Sequence, residues 1–172
     1  DGLSLGYVGV LREWVSFEPI FQAMLEARTL KITLTIIGSE GRFHELQKRV
    51  REIGLAGQVR FVGAVPYSAL PENMQNFSIG VIPFVQNAIT RGALPLKLYE
   101  YAAANKVIIS SQLPEIQTVA QNEVFYADTP SQYLALFQNF SKNGIPAVRY
   151  TFLHDADWTT IERKFLEHVE GE

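Results

Sequence analysis

The 172-residue chain contains no cysteine. That excludes disulfides, thiol nucleophiles and cysteine-based metal sites, and it favours a cytosolic chain. No apolar run reaches the roughly 20 residues that a membrane span requires. Positive charge is not in excess: 15 Lys and Arg against 18 Asp and Glu give a net charge of −3. Nothing in that balance draws the chain to nucleic acid or to an anionic membrane. His44, His154 and His168 are scattered, and no His, Asp and Glu set has metal-ligand spacing. The G-x-G-x-x-G fingerprint, the P-loop and the G-x-S-x-G nucleophile elbow are absent as well. A phospho-receiver domain needs clustered acids at the end of its first strand, where this sequence reads "GVLRE".

An apolar share of 47% with a charged share of 19% describes an ordered domain with a sizeable core. Strand-like and helical stretches alternate along it. "LSLGYVGVL" (3–11), "KITLTIIGS" (31–39), "QVRFVGAV" (58–65), "SIGVIPFV" (78–85), "KVIISS" (106–111) and "EVFYA" (123–127) read as strands. Helices are expected over 17–28 with Ser16 as N-cap, over 41–54 closed by Gly54, over 66–77 in one or two short pieces, from Pro95, over 114–120, over 130–143 and over 157–172. "QNAITRGAL" before Pro95 reads as a loop. Alternation of this kind implies an α/β fold, a doubly wound parallel sheet of about six strands, in one domain spanning 1–172. The chain opens inside a strand-like run without Met or a signal peptide, which fits a piece excised from a longer protein.

Ligands of such sheets bind beyond the carboxyl ends of the strands. That directs attention to the loops 9–16, 38–43, 62–67, 83–95 and 111–114, with Gly9, Gly38 and Gly63 at or near strand ends. Gly9 and the helix after Ser16 could cradle a diphosphate on free N–H groups, or could form a plain tight turn with Trp14 packed nearby. In "RGALPLKLYEYAAANK", Pro95 pre-organises a helix start that carries Lys97 and Glu100, one turn apart. Leu98, Tyr99 and Ala102 make its apolar face, with Lys97, Glu100, Tyr101 and Ala104 on another side. Lys97 and Glu100 could be a solvated surface pair. Beside a cleft, the carboxylate could instead hold a vicinal diol such as a ribose, and the lysine a phosphate.

The block "VRFVGAVPYSALPENMQNFSIGVIPF", followed by "LPLKLYEYAAANKVIIS", resembles the C-terminal half of GT-B glycosyltransferases, above all the retaining group 1. Gly63, "VPYSALP" (65–71), Pro83, Pro95, Lys97, Glu100, Tyr101 and Ala103 follow in that group's order. The opening "GYVGVLREW" and the closing "DWTTIERKFLEHV" also fit. The resemblance implies a donor domain for a UDP- or GDP-linked sugar, with no other cofactor and no metal. Glu100 matches the glutamate on the donor ribose, and Gly9 with the following helix start matches the diphosphate cradle. Val62, Gly63 and Val65, with Tyr67 and Leu70, match the nucleobase region. Asn87, Ala88, Thr90, Arg91 and Gly92 match the loop facing phosphate and sugar.

Two departures stand out. The group's E-x7-E pair would place its first glutamate at position 92, where Gly92 stands. The group's Arg and Lys after the first strand are replaced by Val10, Glu13 and Trp14, so Arg12, Arg91 or Lys97 is expected to neutralise the diphosphate. The acceptor is expected on a missing N-terminal domain, and the isolated half should bind nucleotide with little or no transfer. The expected location is cytoplasmic, with any contact to the inner membrane face made through the missing part. Polysaccharide biosynthesis is the expected setting. The alternatives are a degenerate, non-catalytic nucleotide-binding module, suggested by Gly92 and the missing basic pair, and a flavodoxin-like small-molecule domain.

Overall fold

The computed structural model describes residues 2–156, so the helix expected over 157–172 lies outside the described residues. Six strands, β1 (Leu3–Val8), β2 (Ile32–Ile37), β3 (Val59–Gly63), β4 (Ile79–Ile82), β5 (Val107–Ser110) and β6 (Phe125–Tyr126), form one parallel sheet in the order β3-β2-β1-β4-β5-β6. Each falls inside a stretch that the sequence marks as a strand. The alternating helices are α1 (Glu18–Glu26), α2 (Phe43–Glu52), α3 (Leu70–Met74), α4 (Ala88–Arg91), α5 (Lys97–Ala103), α6 (Pro114–Ala120) and α7 (Pro130–Asn143). Short 3-10 turns cover Tyr67–Ala69 and Thr151–Asp155. The expected doubly wound α/β architecture is the one observed.

Every residue of β4 and of β5 is buried, as strands covered on both faces must be. β1 pairs with β2 from Leu3↔Ile32 to Val8↔Ile37, but with β4 only at Leu5↔Ile79 and Gly6↔Gly80. Those two glycines make room for aromatic rings. A Cβ on Gly6 would stand 2.1 Å from the Phe77 ring, and one on Gly80 2.5 Å from the Tyr101 ring. The two rings meet edge-to-face at 6.1 Å. The chain winds one way through β1, β2 and β3 and the other way from β4, so the switch point lies between β1 and β4.

Three local expectations are corrected. Ser16 is not the cap of α1. Its N–H donates to Pro83 O at 2.8 Å, Val15 bridges Phe84 antiparallel, and the helix starts from Phe17 without a side-chain cap. The helix expected from Pro95 begins at Lys97, with Pro95 O accepting from Leu98 N–H at 3.0 Å as a lead-in turn. Its inward face is Leu98, Tyr101 and Ala102, while Tyr99 is only half-buried, edge-on to Phe152 at 5.7 Å. Tyr101 turns inward because Gly80 leaves space for its ring. Its Oη then accepts from Val8 N–H at 3.0 Å, tying α5 to the end of β1.

Candidate functional site

The carboxyl edge brings together loops far apart in the sequence. At the end of β1, Gly9 has φ 129° and donates its N–H to Ile37 O at 2.8 Å. At the end of β2, Gly38 has φ 150°, and a Cβ there would lie 2.2 Å from Gly9 O. Both positions favour glycine through backbone conformation, and Gly38 also through the close approach of the Gly9 main chain. Gly38 N–H donates to Gly63 O at 2.8 Å, so the three strand-end glycines picked out by the sequence lie side by side.

A hollow of about 180 Å³ opens here, walled by Gly9, Val10, Ser39, Glu40, Val65 and Leu70. Leu70 also walls a second hollow of about 270 Å³ with Tyr67, Pro71, Met74, Glu100 and Ala103. The two therefore adjoin, and they join Gly9 and Val65 to Glu100, which α5 holds half-buried. Tyr67 is 78% exposed and presents a free ring to this side.

Lys97 lines neither hollow, but its side chain lies against Gly9, which walls the first. A Cβ on Gly9 would stand 2.6 Å from Lys97 Nζ. The ammonium sits 5.0 Å from the centre of the Tyr7 ring and 5.9 Å from that of Phe84, one ring at the end of β1 and the other just past β4. Lys97 thus occupies the switch point. Burial lowers its pKa from the usual lysine value, and the negative charge of Glu100 opposes that shift. Among the described residues no carboxylate pairs with Nζ; the ion pairs there are Arg42–Glu45, Lys48–Glu52 and Arg49–Glu18. This is a partly desolvated cation beside a glycine turn, in no ion pair among the described residues.

The β4–α5 connection is more structured than a loop. Asn87 caps α4: its Oδ1 accepts from Ile89 N–H at 2.9 Å and from Thr90 N–H at 3.0 Å. The Thr90 hydroxyl donates to Val85 O at 2.6 Å and accepts from Asn87 N–H at 2.9 Å, with the residue 1% exposed. These oxygens are committed to the turn itself. Arg91 and Gly92 are exposed at its end, and a Cβ on Gly92 would meet nothing within 4 Å. Arg12 is exposed after β1, and Arg12, Asn87, Thr90 and Arg91 line neither hollow.

Glu40 and Ser39 line the first hollow though no motif marked them, while Tyr7 and Phe84, which form the platform for Lys97, lie inside quoted motifs that gave them no role. The strand-end loop rule selected 38–43 as a place to look, but it names no residue within it. Among the described residues there is no group of three His, Cys, Asp or Glu able to hold a metal ion, and no helix is long and apolar enough to cross a membrane.

Comparison with known proteins agrees with this fold. The family model of glycosyl transferases group 1 matches residues 2–139. A curated relative from Bacillus subtilis (strain 168), named "Putative teichuronic acid biosynthesis glycosyltransferase TuaH", is 22% identical over 176 residues, covering 98% of this chain and 43% of its own. Among solved structures, the lipopolysaccharide outer core galactosyltransferase WaaB in its apo form superposes with a TM-score of 0.74 at 19% identity, over 99% of this chain and 50% of that one. The pneumococcal O-GlcNAc transferase GtfA, in complex with UDP and GlcNAc, gives 0.73 at 16% identity, over 99% and 36%. The chain spans half the length of these relatives or less. It belongs to the group 1 glycosyl transferases, as a partial, C-terminal-like domain of the GT-B fold.

Proposed function

We propose that this chain is the nucleotide-diphosphate-sugar binding domain of a glycosyltransferase whose other domain holds the acceptor. The observation that carries the reading is the meeting of Gly9, Lys97 and Glu100 at the sheet's switch point. A diphosphate beside Gly9 supplies the charge partner that Lys97 lacks among the described residues. The Glu100 carboxylate accepts from the ribose hydroxyls. The apolar hollow of Tyr67, Leu70 and Met74 takes the base. Of the three cations considered for the diphosphate, Lys97 is the one the geometry favours, because its Nζ lies against the Gly9 turn while Arg12 and Arg91 are exposed.

The chemistry that this half supplies is electrostatic. Charge develops on the diphosphate as the bond to the sugar breaks, and the Lys97 ammonium beside the glycine turn stabilises it. No step needs a metal. Sugar transfer requires the acceptor wall of the cleft as well, so the isolated chain binds without turnover. The complex of GtfA with UDP supports UDP as the first nucleotide to try. A cytoplasmic protein of glycan biosynthesis is the setting that the absence of cysteine and the name of TuaH support.

Gly92 favours a second reading, a nucleotide-binding module that no longer transfers sugar, since open space stands where the group places a glutamate. Calorimetric titration with UDP and GDP tests both readings together. Saturable binding, weakened in Glu100→Gln, is expected. No binding of either nucleotide in the millimolar range rules both out. Sugar transfer by the full-length parent then decides between them.

A further inference from the structure

A separate hollow of about 350 Å³ opens on the same edge of the sheet beyond the switch point, between the ends of β4, β5 and β6 and the starts of α1 and α7. Phe84 is the partition: it lines this hollow and also lies under Lys97. Ligand pockets run from about 300 to 1,000 Å³, so this one suits a single ring-sized unit.

Its polar groups converge. Tyr133, on the first turn of α7, is 1% exposed, and its Oη has no hydrogen-bond partner among the described residues. A buried hydroxyl left without a partner is costly, and such groups are rare unless something completes them. Asp128 is held in place from several sides. Its N–H donates to Gln132 Oε1 at 2.8 Å, its Oδ1 accepts from Gln112 N–H at 3.2 Å, and Gln86 Nε2 approaches Oδ2 at 3.5 Å. Each carboxylate oxygen keeps accepting capacity toward the hollow. Ser16 and Ser111 also line it.

The chemistry of the walls narrows the ligand. No Lys or Arg lines this hollow, and its one charge is a carboxylate, which repels phosphates and other anions. A metal ion lacks ligands, since no group of three candidate residues exists among those described. Pro19, Pro83, Phe84 and Val85 provide apolar faces beside the acceptors and hydroxyls. Apolar faces with hydroxyl-reading groups at the rim suit a neutral, polyhydroxylated ring.

We propose that this hollow is a saccharide subsite distinct from the nucleotide groove, in which Asp128, Gln86 and Tyr133 read ring hydroxyls and Phe84 and Pro83 cover the C–H face of the ring. The choice of a saccharide among neutral polyols rests on the glycosyltransferase reading above. The site sets a sugar unit on the far side of Phe84 from Lys97, beside the donor diphosphate rather than within its groove.

The test is amide chemical-shift titration of the 172-residue chain with methyl α-D-glucopyranoside and methyl α-D-galactopyranoside, and separately with UDP. At least one glycoside should give saturable millimolar shifts at Ser111, Gln112 and Asp128, while UDP shifts Gly9 and Gly38. Tyr133→Phe and Asp128→Asn should each weaken glycoside binding about five- to tenfold and leave UDP binding unchanged. Tyr133→Phe removes only an oxygen that has no partner among the described residues, so melting temperature should not fall, and folding loss cannot explain weaker binding. No saturable shift with either glycoside, or undiminished affinity in both variants, overturns the proposal. UDP shifts in the same samples show whether the nucleotide reading stands on its own.

Discussion

Replacing Lys97 by Met separates a binding role from a packing role. In the free protein the lysine holds its ammonium 5.0 and 5.9 Å from the centres of two rings, with its pKa lowered by burial. Removing it forfeits cation–π contacts worth about 0.5–1 kcal/mol each. It also relieves a desolvated charge, and a thioether on the same rings returns about 0.3–1.5 kcal/mol. These terms oppose one another, so urea unfolding of Lys97→Met should stay within about 1 kcal/mol of wild type. Binding has no such compensation. A charge-assisted hydrogen bond to phosphate contributes about 1.5–3 kcal/mol, so UDP affinity should fall about 10- to 150-fold. Uridine, lacking the diphosphate, should bind both proteins equally by calorimetry.

The pH dependence follows from the same residue. The folded pKa lies below the ordinary 10.5, so the unfolded chain binds more protons between the two values. Stability of the free protein should therefore rise with pH across that window, and the rise should vanish in Lys97→Met. UDP affinity should move the opposite way and fall as pH climbs through the lowered pKa, because the ammonium is what meets the diphosphate. Equal losses for UDP and uridine would mean that the site had merely repacked. Unchanged UDP affinity would refute the assignment of Lys97 to the diphosphate.

Other substitutions probe the frame around that site. Gly38→Ala puts a methyl 2.2 Å from Gly9 O at φ 150°, and denaturant unfolding should show a loss of about 2 kcal/mol or more, with weaker UDP binding. Tyr101→Phe leaves the buried Val8 N–H without its acceptor and should cost about 1–3 kcal/mol in urea unfolding, whereas Tyr99→Phe should change little. Gly92→Glu enters open space, so stability should stay within about 0.5 kcal/mol. In that variant affinity for UDP should hold while affinity for UDP-sugars changes, as comparative calorimetry would show.

The six strands and the parallel class were legible in the sequence because an apolar run bounded by turn residues is a local signal. So was the family, through an order of short motifs from Gly63 to Ala103. Other features depended on neighbours that the sequence does not place. Ser16 reads as a cap, but its backbone is claimed by Pro83 in a distant loop. Tyr101 looks like the polar-side residue of α5, but a glycine in β4 admits its ring to the core. Thr90 looks available to a ligand, but its hydroxyl is used within its own turn. The alternation of elements, the glycines at the strand ends and the family are written in local runs of residues. That Lys97 meets Gly9 across the switch point, and that Tyr133 and Asp128 face one hollow, required the packed sheet. Those meetings follow from the strand order β3-β2-β1-β4-β5-β6, which no local pattern of side chains specifies.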